Sequence, residues 1–260
     1  MRSARILVAS LLVCAQLSMA ALATAVAPIY GGFEPGLLDY QGTLGTTRIG
    51  LTFAVDGNPM AHGSYFYFKY LKDIPLKGTF QPDGFALREY DSSGKITGTF
   101  HLKISTEDVQ KIEKPLALSN TSVLVGTWTS ADGSRTLPVE LRQMAWMSGS
   151  EGNRYGEFGS EVDIERKVRQ FYDAVQQGNR EAAANAVDYP LRINSLHLSI
   201  RDKQQFLAHY TQIFTPAFVR CLANYPPHNL FVNAQGIMLG RGELWFNEKG
   251  VVSVNPCTAH

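Results

Sequence analysis

The sequence predicts two domains: an all-β antiparallel meander closing as a sandwich or small barrel, then an α+β domain. Three observations predict them. Apolar residues alternate with a period of two over the first part of the chain, and a helical period takes over beyond residue 160. Between them lies "AWMSGSEGNRYGEFGS", 145–160, a Gly/Ser-rich polar stretch with no sustained period, read as a linker. The boundaries are 26–144 for the β-rich domain and 161–260 for the α+β domain.

The β-rich assignment rests on runs such as "TRIGLTFAV", which places Ile49, Leu51, Phe53 and Val55 on one face and Arg48, Gly50, Thr52 and Ala54 on the other. "KITGTFHLKI" repeats the pattern with Ile96, Phe100, Leu102 and Ile104. Turn signals separate the runs at Asp56-Gly57-Asn58, Asp83-Gly84, Asp91-Ser92-Ser93-Gly94 and Asp132-Gly133-Ser134. Residues Ser105 to Asn120 break the rhythm and are expected to form a short helix or covering loop. A loose Gly-Thr-apolar repeat recurs at Gly42, Gly78, Gly98 and Gly126. It reads as a packing device, in which an inward glycine leaves room for a ring from a neighbouring strand.

"HGSYFYFKYLKDIPLKG" concentrates rings in the same half. Alternation assigns Phe66, Phe68 and Tyr70 to the core and places Tyr65, Tyr67 and Lys69 on the opposite, amphipathic face. Those last three residues are binding candidates.

In the second half, "SEVDIERKVRQFYDAVQQG" begins with Ser160 and Asp163 in capping-box spacing, carries an apolar stripe through Ile164, Val168, Phe171, Tyr172 and Val175, and stops at Gly178. A short helix is expected from Arg180 to Val187, then a strand in "YPLRINSLHLSI". A third helix, in "RDKQQFLAHYTQIF", is capped by Asp202 and buries Phe206, Leu207, Tyr210, Ile213 and Phe214. Thr215-Pro216 opens a further helix through Leu222. "NLFVNAQGIMLGRGELWFNEKGVVSVN" reads as three antiparallel strands.

Ahead of both domains, residues 1–25 are expected to be a signal peptide. Arg2 and Arg5 precede an apolar run from Ile6 to about Ala20, and small residues follow, with cleavage fitting after Ala20, Ala23 or Ala25. The run is too short for a membrane span, and Val13 before Cys14 is a poor lipoprotein-processing context. The expected location is therefore periplasmic or secreted. Losing Arg2 and Arg5 lowers Lys+Arg from 24 to 22 against 23 acidic residues, a formal charge of −1. That balance gives no bulk attraction to nucleic acid or an anionic membrane. Two cysteines remain, Cys221 and Cys257, in a compartment where disulfides persist. They are expected to form a bridge, the alternative being two isolated thiols; no nearby His or third Cys suggests a metal site.

The order helix, helix, strand, helix, meander over Glu161 to Asn255, carried by "FYDAVQQGNREAAANAV" and "GIMLGRGELWFNEKGVVSV", resembles the nuclear transport factor 2-like superfamily. That resemblance implies a cone, in which a curved sheet wraps a long helix and leaves a pocket at the wide end. The first half resembles β-rich modules of uncharacterised secreted bacterial proteins.

A fold of this kind serves enzymes and non-catalytic binders alike. Acid/base chemistry in the cone needs a carboxylate or His near an oxyanion stabiliser, and the candidates are Tyr172, Asp173, Asp188, Tyr189, His197, His209, Arg241 and Glu243. Each has a structural role open to it. Arg241 and Glu243, two residues apart in "LGRGELWF", are expected on one strand face, either lining the cone as a polar-ligand pair or facing solvent as an ion pair. No nucleophile elbow, phosphate loop or Cys–His spacing occurs, and no cofactor motif. The expected function is a non-catalytic protein-binding module of inhibitor or immunity type, acting on another envelope protein such as a toxin or hydrolase. The alternative is a small-molecule binder or simple acid/base enzyme using the cone.

Overall fold

The structure, a computed structural model, describes residues 36–55, 60–81, 84–105, 123–148 and 154–257. The signal peptide, the Asp56-Gly57-Asn58 turn, Asp83 and the expected helix or loop beyond Ser105 lie outside the described residues. Eight antiparallel strands, β1 (Gly36–Leu44), β2 (Thr47–Val55), β3 (Met60–Tyr67), β4 (Ile74–Gln81), β5 (Gly84–Tyr90), β6 (Ile96–Ser105), β7 (Val123–Ser130) and β8 (Thr136–Met147), follow one another around a closed barrel. β8 pairs back onto β1, from Leu37↔Met147 to Leu44↔Val139. Of the two closures the sequence leaves open, the barrel is the one formed, and closure removes every exposed strand edge.

Alternation built the interior. Ile49, Leu51, Phe53 and Val55 are all fully buried, and Phe53 packs between Tyr40 and Phe85 at centroid distances of 5.6 and 4.8 Å. Rings and branched side chains fill the barrel, so it is a core and not a channel. The glycine repeat works differently from expectation. A Cβ on Gly42, Gly78 or Gly126 would meet a backbone oxygen of the adjacent strand, so these glycines permit close strand approach. Only Gly98 of the four is covered by a ring, that of Trp128.

Beyond the barrel, four helices, α1 (Glu161–Gln176), α2 (Arg180–Asn185), α3 (Lys203–Ile213) and α4 (Pro216–Leu222), pack on a mixed six-stranded sheet. Its strands are β9 (Val187–Ile193), β10 (Leu198–Ile200), β11 (Phe231–Asn233), β12 (Gly236–Leu239), β13 (Leu244–Phe246) and β14 (Val251–Val254), in the order β10-β9-β14-β13-β12-β11. β9 and β14 are parallel; the other neighbours are antiparallel. The caps fall where the sequence puts them: Ser160, Asp202 and Thr215 each accept from a backbone N–H three residues on. The expected single strand in "YPLRINSLHLSI" is a hairpin instead, β9 turning into β10 through a 3-10 turn and His197 at φ 53°. The closing meander has four strands, because Gly240–Glu243 forms an additional turn.

Cys221 of α4 and Cys257 after β14 form a disulfide, tying the last helix to the end of the sheet. The stretch read as a linker is not free of structure. Ala145–Met147 complete β8, and Arg154 and Tyr155 are buried. No helix among the described residues is long and apolar enough to cross a membrane.

Candidate functional site at the barrel seam

The aromatic run is a hairpin rather than one strand: β3 ends at Tyr67, a turn spans 68–73, and β4 begins at Ile74. The alternation holds but the faces are exchanged. Tyr65 is 1% exposed inside the barrel, where Tyr65 Oη donates to Glu89 Oε2 at 2.8 Å. Phe66 is equally buried but on the outer face, edge-on to His228 at 4.5 Å, and stacks with Phe68. Polarity does not mark the outer face here, because a buried phenol can be satisfied inside the barrel. Glu89 offers the phenol an acceptor within the barrel, and His228 covers Phe66 outside it. Tyr65 therefore offers no surface to a partner. Tyr70, expected in the core, is 65% exposed.

The three tyrosines form a ladder from core to surface. Tyr65 meets Tyr67 edge-on at 5.5 Å, Tyr67 meets Tyr70 at 6.2 Å, and the Lys69 ammonium lies 5.4 Å over the Tyr70 ring. The turn that carries Tyr70 is held from several sides. Tyr67 O accepts from the backbone N–H groups of Tyr70 and Leu71, and Leu71 has φ 48°, an uncommon conformation for a residue with a branched side chain. The Leu71 carbonyl accepts from Arg169 of α1. The Arg48 guanidinium stacks 4.3 Å over Phe68 and donates to the Asn224 carbonyl at 2.7 Å.

Asp73, at the end of the turn, enters an ionic knot. His228 Nε2 lies 3.2 Å from Asp73 Oδ1, and His228 Nδ1 lies 2.5 Å from Glu165 Oε2. Arg169 Nη2 donates to the same Glu165 oxygen at 3.0 Å, while Tyr155 Oη and the Asn229 N–H donate to Glu165 Oε1. Two carboxylates and two cations thus meet where barrel and helices join, and Ser64 also donates to Asp73. Burial opposes charge on His228, but the bonds to Asp73 and Glu165 outweigh it and hold the imidazolium up to about 9. Burial likewise opposes charge on Glu165 and Asp73, yet His228 brings both carboxyls below their ordinary values. Burial, with Glu165 next to it, pushes the Tyr155 phenol up.

A second lock lies alongside. The buried Arg154 forks onto Asp39 of β1 at 2.6 and 2.8 Å, donates to Thr52 of β2, and reaches the Leu230 carbonyl. Thr52 Oγ1 donates in turn to Asp39.

The structure disperses the residues proposed for cone chemistry. Phe171, Phe206, Phe214, Phe218 and Phe246 pack ring on ring through the second core. Asp173 is exposed, Asp188 accepts from Asn247, Tyr189 Oη donates to the Ala184 carbonyl, and His209 Nδ1 lies 2.9 Å from the Gln205 carbonyl. Tyr172 is half-buried on α1, and burial followed by Asp173 raises its phenol pKa. His197 is exposed in the β9–β10 turn, at positive φ. Arg241 and Glu243 do not share a strand face. Both lie in the Gly240–Glu243 turn, where the buried Glu243 carboxylate accepts from the Arg241 backbone N–H at 2.5 Å and the Arg241 residue is exposed. Glu243 also lies within 4.8 Å of both cysteine sulfurs, but their bond to each other removes the thiolates a metal would need.

Sequence reasoning missed Glu165, His228, Asp73 and Arg154. One local signal existed: Glu165 falls in line with Val168 and Tyr172 on the flank of the α1 stripe, an odd place for a charge. No protein-family model, curated protein or solved structure matches the chain.

Proposed function

We propose that this chain is an exported, non-catalytic protein-binding module of inhibitor or immunity type, acting in the periplasm and gripping its partner with the Tyr70 end of the barrel. The observation that carries the reading is the ladder Tyr65–Tyr67–Tyr70, which roots an exposed ring in the barrel core beneath a lysine. A Tyr ring with two side-chain torsions costs little entropy to dock, and Trp, Tyr and Arg are enriched among the residues that dominate interface energy. In this reading the second half is a nuclear transport factor 2-like unit whose interior is occupied by its own rings. That packing weighs against a ligand in the cone, and α1 and the segment before β11 clamp the recognition turn through Arg169 and His228.

The test places a photo-crosslinking amino acid at position 70 of the full chain in envelope extract. One discrete adduct is expected; its partner, once purified, binds at least about tenfold more weakly to Tyr70→Ser, with a smaller loss for Lys69→Ala. An affinity unchanged by Tyr70→Ser overturns the reading.

A further inference from the structure

A cleft of about 470 Å³ opens on the helical half, between α1, α2 and the β13–β14 turn. Its wall carries Arg166 and Lys167 from α1, Lys249 from the turn, and the amides of Gln170 and Asn185; Ala182 and Ala186 complete it, and none of these lining residues is acidic. The volume falls within the roughly 300–1,000 Å³ of small-molecule sites, but the wall is polar where such sites are mostly apolar. Three cations in one concavity are notable in a chain of almost balanced charge.

The walls are fixed independently of any ligand. Lys167 Nζ donates to the Glu248 carbonyl, linking α1 to the turn. The turn is pinned to α2 and β9: the Val251 N–H donates to the Ala186 carbonyl, and Asn247 Nδ2 donates to Asp188 Oδ2 at 2.7 Å. Gly250 sits so close to the Ala186 carbonyl that a Cβ would lie 2.5 Å from its oxygen. Acidic groups do occur on the rim. Asp163 meets one nitrogen of Arg166 at 3.4 Å, with both side chains more than half exposed, and Glu181 pairs with Lys203. An exposed pair of that length contributes little, so it is readily exchanged for a better acceptor.

We propose that this cleft binds a small anion carrying two or more charges, of the phosphate-ester or diphosphate class. Arg166 and Lys167 on α1, Lys249 on the turn and the Asn185 amide on α2 supply donors from three sides, and a guanidinium such as that of Arg166 can offer two N–H groups to one phosphate-like anion. The site is separate from the Tyr70 end of the barrel, and the proposal does not rest on partner binding.

Inorganic pyrophosphate, with orthophosphate and citrate for comparison, is titrated into the full chain at low salt, with binding followed by calorimetry and backbone amide shifts. Saturable one-to-one pyrophosphate binding is expected, with a Kd below about 1 mM, weakening as salt screens the charges. Shifts should centre on residues 166–170, 182–186 and 247–250. Lys249→Met, which keeps the apolar stem, and Arg166→Ala should each raise Kd about fivefold or more at unchanged thermal midpoint, a loss of about 1 kcal/mol. Arg135→Ala, on the barrel's β7–β8 turn, is the control for net charge and should leave Kd unchanged. Shifts still linear at about 10 mM, a Kd raised equally by Arg135→Ala, or citrate binding more tightly than pyrophosphate each overturn the proposal.

Discussion

The barrel and the seam each bury a glutamate, and they satisfy it by different chemistry. Glu89 in the barrel accepts from Tyr65 Oη, Thr97 Oγ1 and Trp128 Nε1 at 2.6–2.8 Å, all uncharged donors. Glu165 at the seam accepts from His228 and Arg169 as well as from Tyr155 and a backbone N–H. The barrel knot is closed within one sheet. The seam knot draws on a turn of the barrel, helix α1 and the segment before β11, so its strength measures how firmly the two halves are joined.

The largest break is expected at the second seam lock. Arg154→Met strands Asp39 beneath the helical half and should lower unfolding free energy by about 3–5 kcal/mol in urea. A loss under about 1 kcal/mol would mean that water reaches Asp39 and that the seam is looser than its geometry indicates.

Next in size is the pH response of the ionic knot. His228 has a raised folded pKa, so its contribution is fully present below its ordinary value of 6.5 and is lost as pH rises through about 9. Glu165 and Asp73 have lowered folded values, so theirs is present above 4.5 and 3.8 and is lost as pH falls further. Stability should therefore plateau between these limits. The alkaline loss should be on the order of 3 kcal/mol, with Glu161, Tyr155 and Arg169 the other titratable groups around the knot. Urea midpoints at pH 7 and 10, compared with those of His228→Gln, check this; the variant should lose the part of the alkaline slope that His228 supplies. An equal slope in both proteins would place the titration elsewhere.

Glu89→Gln sharpens the contrast from the barrel side. An amide keeps one acceptor but turns two N–H donors toward other donors, a cost of about 1–3 kcal/mol. That cost should be the same at pH 7 and 10, because none of Glu89's partners is a cation. The smallest effect belongs to Tyr70→Ser, within about 0.5 kcal/mol of the native chain by thermal melting, since the ring is mostly in water. A larger loss would make the Tyr70 ring a structural cap on the barrel instead of a recognition element.

What the sequence revealed was local. The stripe of α1, the caps at Ser160, Asp202 and Thr215, and the alternation of β2 depend on residues within a few positions of one another, and each is found where expected. Alternation also sorted Tyr65 from Phe66 correctly, but it says which residues share a face and not which face is inner. The acceptor that draws Tyr65 inward is Glu89, 24 positions away, and the ring that covers Phe66 from outside is His228. The seam was illegible for the same reason. His228 and Asp73 are 155 positions apart, as Arg154 and Asp39 are 115 apart, and neither pair leaves a periodic trace in the chain.

Barrel closure also sets an order of events for a chain that emerges from its N-terminus. β1 pairs with β2 at once but must wait for β8, and the Tyr40–Gln143 contact across that last pairing spans 103 positions. Until then the sheet has two open edges, and the entropy of bringing them together is spent before the final ladder compensates for it. The interval before closure is when this protein is most exposed to sticking to its neighbours, and a holding chaperone would have most to do there.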